Sequence, residues 1–173
     1  MLEPATAMER DDLEIYLHEQ IPLTKAMGVS VRSITSDTVT LAAPLAPNIN
    51  PKGTGFGGSA STLCILAAWS TLHVRLTDAG LPTEIVIHSN TMEYQRPIRG
   101  EFVATGAINA DADWPGFLKT LESRKKARVE VEAALRCGDE AVGVFRGRFV
   151  AFLREEETAQ LEVVKKPVTL PRD

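Results

Sequence analysis

A chain of 173 residues, 44% apolar and 24% charged, suits one packed domain with a substantial core. Its net charge of -4, from 23 acidic against 19 basic residues, leaves no basic footprint for a nucleic-acid partner. No apolar run reaches the ~18–20 residues needed to cross a bilayer, and the first residues lack the basic start and apolar stretch of a signal peptide, so a cytoplasmic protein with no membrane partner is expected.

Met8 to Met27 reads as a helix, with Leu13, Tyr16, Leu17 and Ile21 at spacings of three and four and Asp11 and Asp12 near the positive end of the dipole. Pro22 should break it, and Gly28 should release the chain. Val29 to Ile34 and Val39 to Ala43 are β-branched runs around a Ser36-Asp37 turn and form a hairpin. Pro44 to Gly55, rich in Pro, Asn and Gly, must be irregular. From Gly57 to about Asp78 the chain has no Pro and no later Gly than Gly58, and it is apolar or small almost all the way round. Such a helix, ~30 Å long, belongs inside a protein.

Four strands follow: Glu84 to Gln95, Glu101 to Asn109, Ala127 to Cys137 and Ala141 to Leu153. In the last, Gly143 and Gly147 alternate with Phe145 and Phe149, which suggests another element packed close to the backbone. The expected order is helix, two strands, one long buried helix, four strands: an α+β domain over residues 1–153 with a curved antiparallel sheet around the helix. Residues 154–173 read as a charged, peripheral tail. Cys64 and Cys137 lie far apart with no CxxC or nearby His, so reduced thiols and no metal are expected.

The run Ile21-Pro22-Leu23-Thr24-Lys25-Ala26-Met27-Gly28-Val29 and the string from Pro44 through Asn48, Asn50 and Thr54 to Phe56-Gly57-Gly58-Ser59 resemble the thioesterase domain at the C-terminus of YiiD-like proteins, a hotdog-fold family. The likeness spans roughly residues 10 to 153; too few residues remain outside it for the acetyltransferase domain sometimes fused to the family. Tyr94-Gln95-Arg96-Pro97 adds a more distant likeness to the phenylacetate-pathway type of hotdog thioesterase. The resemblance implies hydrolysis of an acyl-CoA or acyl-carrier-protein thioester by a homodimer with sites between subunits, whether or not dimers pair further. No cofactor is implied: CoA or phosphopantetheine arrives as part of the substrate.

Thioester hydrolysis needs donors for the developing oxyanion and a means of positioning water. A buried helix start supplies free N–H groups and a positive dipole end, and Gly57 and Gly58 let a carbonyl approach closely. Thr54 or Ser59 could cap the helix or orient water, as could Asn48 and Asn50 from the loop. The expected arrangement is water held by Asn50, Thr54 and Ser59. Phe56 stands where the wider family places His, Ile65 where it places a carboxylate, so the usual base is missing from its usual place. His88, sharing strand parity with Asn90, Met92 and Tyr94, could reach a partner's site; His73 is too far along the helix, Glu93 faces away, and Cys64 lacks an activating base. Arg96, Arg99, Lys126 and Arg128 could hold the phosphates of the substrate arm. A non-catalytic acyl-CoA-binding module is the alternative; a dehydratase suffers more from the missing His and acid.

Overall fold

The computed structural model describes residues 8–155; all but the first two residues of the expected tail lie outside them. Two helices, α1 (Arg10–Gln20) and α2 (Pro22–Met27), precede the hairpin β1 (Ser30–Ile34) and β2 (Thr38–Ala43). A short 3-10 turn at Ala46–Asn48 leads into α3 (Gly57–Asp78). Then come β3 (Thr83–Tyr94), β4 (Phe102–Ile108), α4 (Trp114–Arg124), β5 (Lys126–Cys137) and β6 (Glu140–Leu153). The break at Pro22 is present: Ile21 leaves helical geometry, the proline takes the first position of α2, and Gly28 ends it at φ 71°.

The six strands form one antiparallel sheet in the order β1-β2-β4-β5-β6-β3. α3 packs against its inner face through Leu63, Ala67, Leu72 and Leu76, all fully buried. The helix comes very close at Gly106 of β4, where an added Cβ would stand 2.6 Å from both the Ala67 carbonyl carbon and Thr71 Oγ1. Thr71 also ties the layers together: its hydroxyl donates to Ala67 O at 2.9 Å and accepts from the Val39 amide at 3.2 Å.

Two expectations are corrected. An element went unread: α4 fills the interval before β5, with Asp113 accepting from the Gly116 amide at 3.0 Å as its cap. Its Phe117 and Leu121 join the core. Of the two glycines of β6 expected to lie under another element, Gly143 does and Gly147 does not. The space above Gly147 holds the Phe145 and Phe149 rings of its own strand, and Gly143 is crowded by Met92 and the Glu93 carbonyl of β3.

The two sheet edges differ. α1 covers β1: Glu14 accepts from the Val31 amide at 2.8 Å, and His18 Nε2 lies 2.8 Å from Val29 O. Among the described residues no further strand pairs with the outer edge of β3, and Val86 and Ile87 remain 40% and 36% exposed.

α1 also meets α3 through a three-ring stack, Tyr16–His73–Trp69, with centroids 5.1 and 4.7 Å apart. Burial, and secondarily Arg154, lowers the pKa of His73 below its usual 6.5. The unfolded chain then takes up a proton near pH 6.5 while the folded ring resists it, so this residue's part of stability is lost as pH falls from there through the folded pKa. His73→Phe, which keeps a ring in the stack, should lose less stability between about pH 7.5 and 5.5 than the parent in urea unfolding; equal losses would contradict this.

Candidate active site

The segment before α3 is folded on itself by one side chain. Asn50 donates through Nδ2 to Thr54 Oγ1 at 2.8 Å and Gly55 O at 3.1 Å; its Oδ1 accepts from the Lys52 and Thr54 amides at 2.9 and 3.2 Å. The Asn50 amide meets Thr54 O at 2.8 Å, closing the turn. The turn is held to the rest of the protein by Gly55 N to Ile98 O at 2.8 Å and Phe56 N to Asn48 O at 2.7 Å. With both its N–H groups engaged, Asn50 shapes the loop and positions Thr54. The Thr54 hydroxyl accepts from Asn50, so its own proton is available for a further bond.

α3 therefore starts at a fixed place, but without a cap. Phe56 occupies the N-cap position with no side-chain hydrogen bond, and no acidic residue lies in the first turn. Neither Thr54 nor Ser59 caps the helix, contrary to the capping role considered for them. Among the described residues the amides of Gly57, Gly58 and Ser59 have no hydrogen-bond partner. Such groups, at the positive end of a 22-residue helix, form a ready anion site. Tyr94, at the end of β3, donates its hydroxyl to Gly57 O at 3.1 Å.

A cavity of about 410 Å³ opens here, walled by Asn50, Lys52, Thr54, Gly57, Tyr94 and Arg96. Ala60, Ile98 and Val142 give it an apolar side. Gly58 and Ser59 continue the same helical turn outside this lining, and the half-exposed Phe56 ring folds over Gly58. Among the described residues no His, Asp or Glu lines the cavity.

The other residues singled out from the sequence lie apart. Asn48 is 2% exposed and spends its amide on Met27 O and Pro44 O, at 2.9 and 2.8 Å, so it clamps the loop rather than facing the cavity. A β-bulge between Ile87 and Ser89 breaks the expected parity of His88. His88 lines a separate cleft with Arg128, Glu130 and Arg148. Within one protomer, Arg128 is seven residues along β5 from Leu135, the residue level with Gly143 and Tyr94; that is about 23 Å along the strand. Lys126 rests 5.2 Å over the Phe152 ring, and Arg99 is exposed between β3 and β4. Of the basic residues named, only Arg96 borders the cavity.

His73 is about 24 Å of helical rise from Gly57. Cys64 is fully buried, and desolvation pushes its thiol up to about 12, which removes it as a nucleophile. Two contributors went unread. Tyr94 was noted within a motif and for its strand parity but given no role, and Glu140, whose carboxylate is 3.5 Å from Arg96, gave no sequence signal because the pairing depends on how β3 meets β6.

Residues 10–153 match the model of the family described as "Putative thioesterase (yiiD_Cterm)". The chain belongs to this family. A solved structure of a protein of unknown function from Chlorobaculum tepidum is 25% identical, with a TM-score of 0.78 over 86% of this chain and 99% of that one. One from Shewanella oneidensis, described as a "putative thioesterase", is 26% identical, with a TM-score of 0.75 over 83% of this chain and 96% of that one. A thioesterase from Haemophilus influenzae, 12% identical, shares the fold at a TM-score of 0.69 over 88% of this chain and 96% of that one. The fold is the hotdog, with an N-terminal helix added, and membership places the chain among thioester hydrolases at the level of reaction class.

Proposed function

We propose that this protein hydrolyses an acyl thioester of CoA or of an acyl-carrier protein at the N-terminus of α3. The observation that carries the reading is the uncapped first turn, whose free amides belong to a helix start bordering a 410 Å³ cavity. The thioester oxygen accepts from the Gly57 and Gly58 amides, and Thr54 Oγ1 orients a water against the carbonyl carbon. Ser59 adds its amide to the same positive end. Addition of water places negative charge on the oxygen facing those amides; collapse breaks the C–S bond and releases acid and thiol. With no His, Asp or Glu among the described lining residues, the water's proton passes to solvent. The long outer edge of β3, paired by no strand among the described residues and with Val86 and Ile87 exposed, supports a homodimer joined along that strand.

Thiol release across a panel of acyl-CoA chain lengths, and from an acyl-carrier protein, tests this: turnover of at least one substrate is expected. The lack of a His or carboxylate among the described lining residues favours a second reading, a module that binds acyl-CoA without cleaving it. Tight binding without thiol release, in the parent and in Asn50→Ala alike, would establish that reading instead.

A further inference from the structure

We infer that Glu140 is a resident counter-ion for Arg96, displaced when a phosphate-bearing pantetheine arm enters, and that this pair sets how strongly the cavity selects such arms; the inference rests on the thioesterase reading above. The backbone builds the pair. Gln95 N and Arg96 N both donate to Val142 O, at 2.9 and 3.2 Å, which draws the end of β3 onto the start of β6. Glu140 is the first residue of β6, so its carboxylate lies beside the Arg96 side chain. The contact is a single one at 3.5 Å, with the side chains 63% and 62% exposed.

An exposed ion pair of this kind contributes little stability and exchanges readily. A phosphate brings more charge and can meet the guanidinium fork with two oxygens at once. Arg96 shares the cavity wall with Lys52, and among the described residues no carboxylate lines the cavity to compete with an incoming anion there. Glu140, just outside, is thus the negative charge that a phosphate must replace. It lowers affinity for phosphate-bearing arms and leaves affinity for uncharged arms alone.

Calorimetric titration of the full chain with CoA, 4′-phosphopantetheine and pantetheine tests the inference without requiring turnover. Glu140→Gln should bind CoA about 3- to 5-fold more tightly, the scale of an exposed pair. Arg96→Gln should bind it about 10-fold more weakly, on the scale of a charge-assisted hydrogen bond. Pantetheine affinity should be unchanged in both. If phosphopantetheine follows CoA, the recognised group is the 4′-phosphate that carrier proteins also present; if it follows pantetheine, the group is on the nucleotide. Glu140→Gln without tighter CoA binding, or shifts of equal size for pantetheine, would overturn the inference. Absence of thiol release from any thioester, with these affinity shifts intact, would instead count against hydrolysis alone.

Discussion

Gly106→Ala is expected to destabilise the protein by about 3 kcal/mol, the upper part of the range for overpacking a core. In a domain of this size that lowers Tm by roughly 10 °C. The new methyl would meet backbone, the Ala67 carbonyl, as well as Thr71 Oγ1 at 2.6 Å. Neither can yield cheaply. Ala67 lies in mid-helix with its side chain fully buried, and the Thr71 hydroxyl is the partner of the Val39 amide, which would lose its bond if Thr71 turned away. Relief requires α3 to move off β4 as a body, loosening the packing around Leu63, Leu72 and Leu76. Gly80→Ala is a useful contrast, since nothing lies near its absent Cβ and any cost comes from its φ of +71° alone. A thermal melt of Gly106→Ala within a degree or two of the parent would show that the helix is not seated on that strand.

Thr54→Ala should lower kcat by about 100-fold, the lower end for losing a positioned group at the reacting centre, with little change in KM. Asn50→Ala should fall to a similar level by another route. Its carboxamide makes four bonds within the turn, two of them to the Thr54 side chain and amide, so the loop loses the geometry that presents the hydroxyl. Because one residue acts through the other, the double variant should be no slower than the worse single one. Thr54→Ser, which keeps the hydroxyl, should retain most of the rate. Kinetics on one acyl-CoA substrate decide the matter: full activity in both Thr54→Ala and Asn50→Ala would remove the loop from the mechanism.

Much of the architecture was legible because it depends on local pattern. An all-round apolar stretch from Gly57 to Asp78 has nowhere to go but under a sheet, and Pro22 and Gly28 punctuate the chain by backbone geometry alone. α4 escaped because Pro115 and Gly116 look like a turn, although Asp113 before a proline, followed by Phe117 and Leu121, is also a helix start. The alternating Gly and Phe of β6 suggested another element close to the backbone, which holds at Gly143 beside β3; the rings close over Gly147 themselves, and it is Gly106 of β4 that receives the helix.

The site was legible only as a place. Asn48 and Asn50 read alike two residues apart, but one is buried as a clamp and the other shapes the rim of the cavity. A single bulge moves His88 out of step with Asn90, Met92 and Tyr94, and strand parity cannot foresee it. The Arg96–Glu140 pair joins residues 44 positions apart through β3 and β6, so no local spacing announces it.

Where the thioester carbonyl sits is read most directly from backbone amide resonances of nitrogen-15-labelled protein titrated with an acyl-CoA analogue that keeps the carbonyl and has CH₂ in place of sulfur. Binding at the uncapped end of α3 predicts that the Gly57, Gly58 and Ser59 amides shift most and saturate together. Those amides staying still while the residues around His88, Arg128 and Arg148 shift would contradict it.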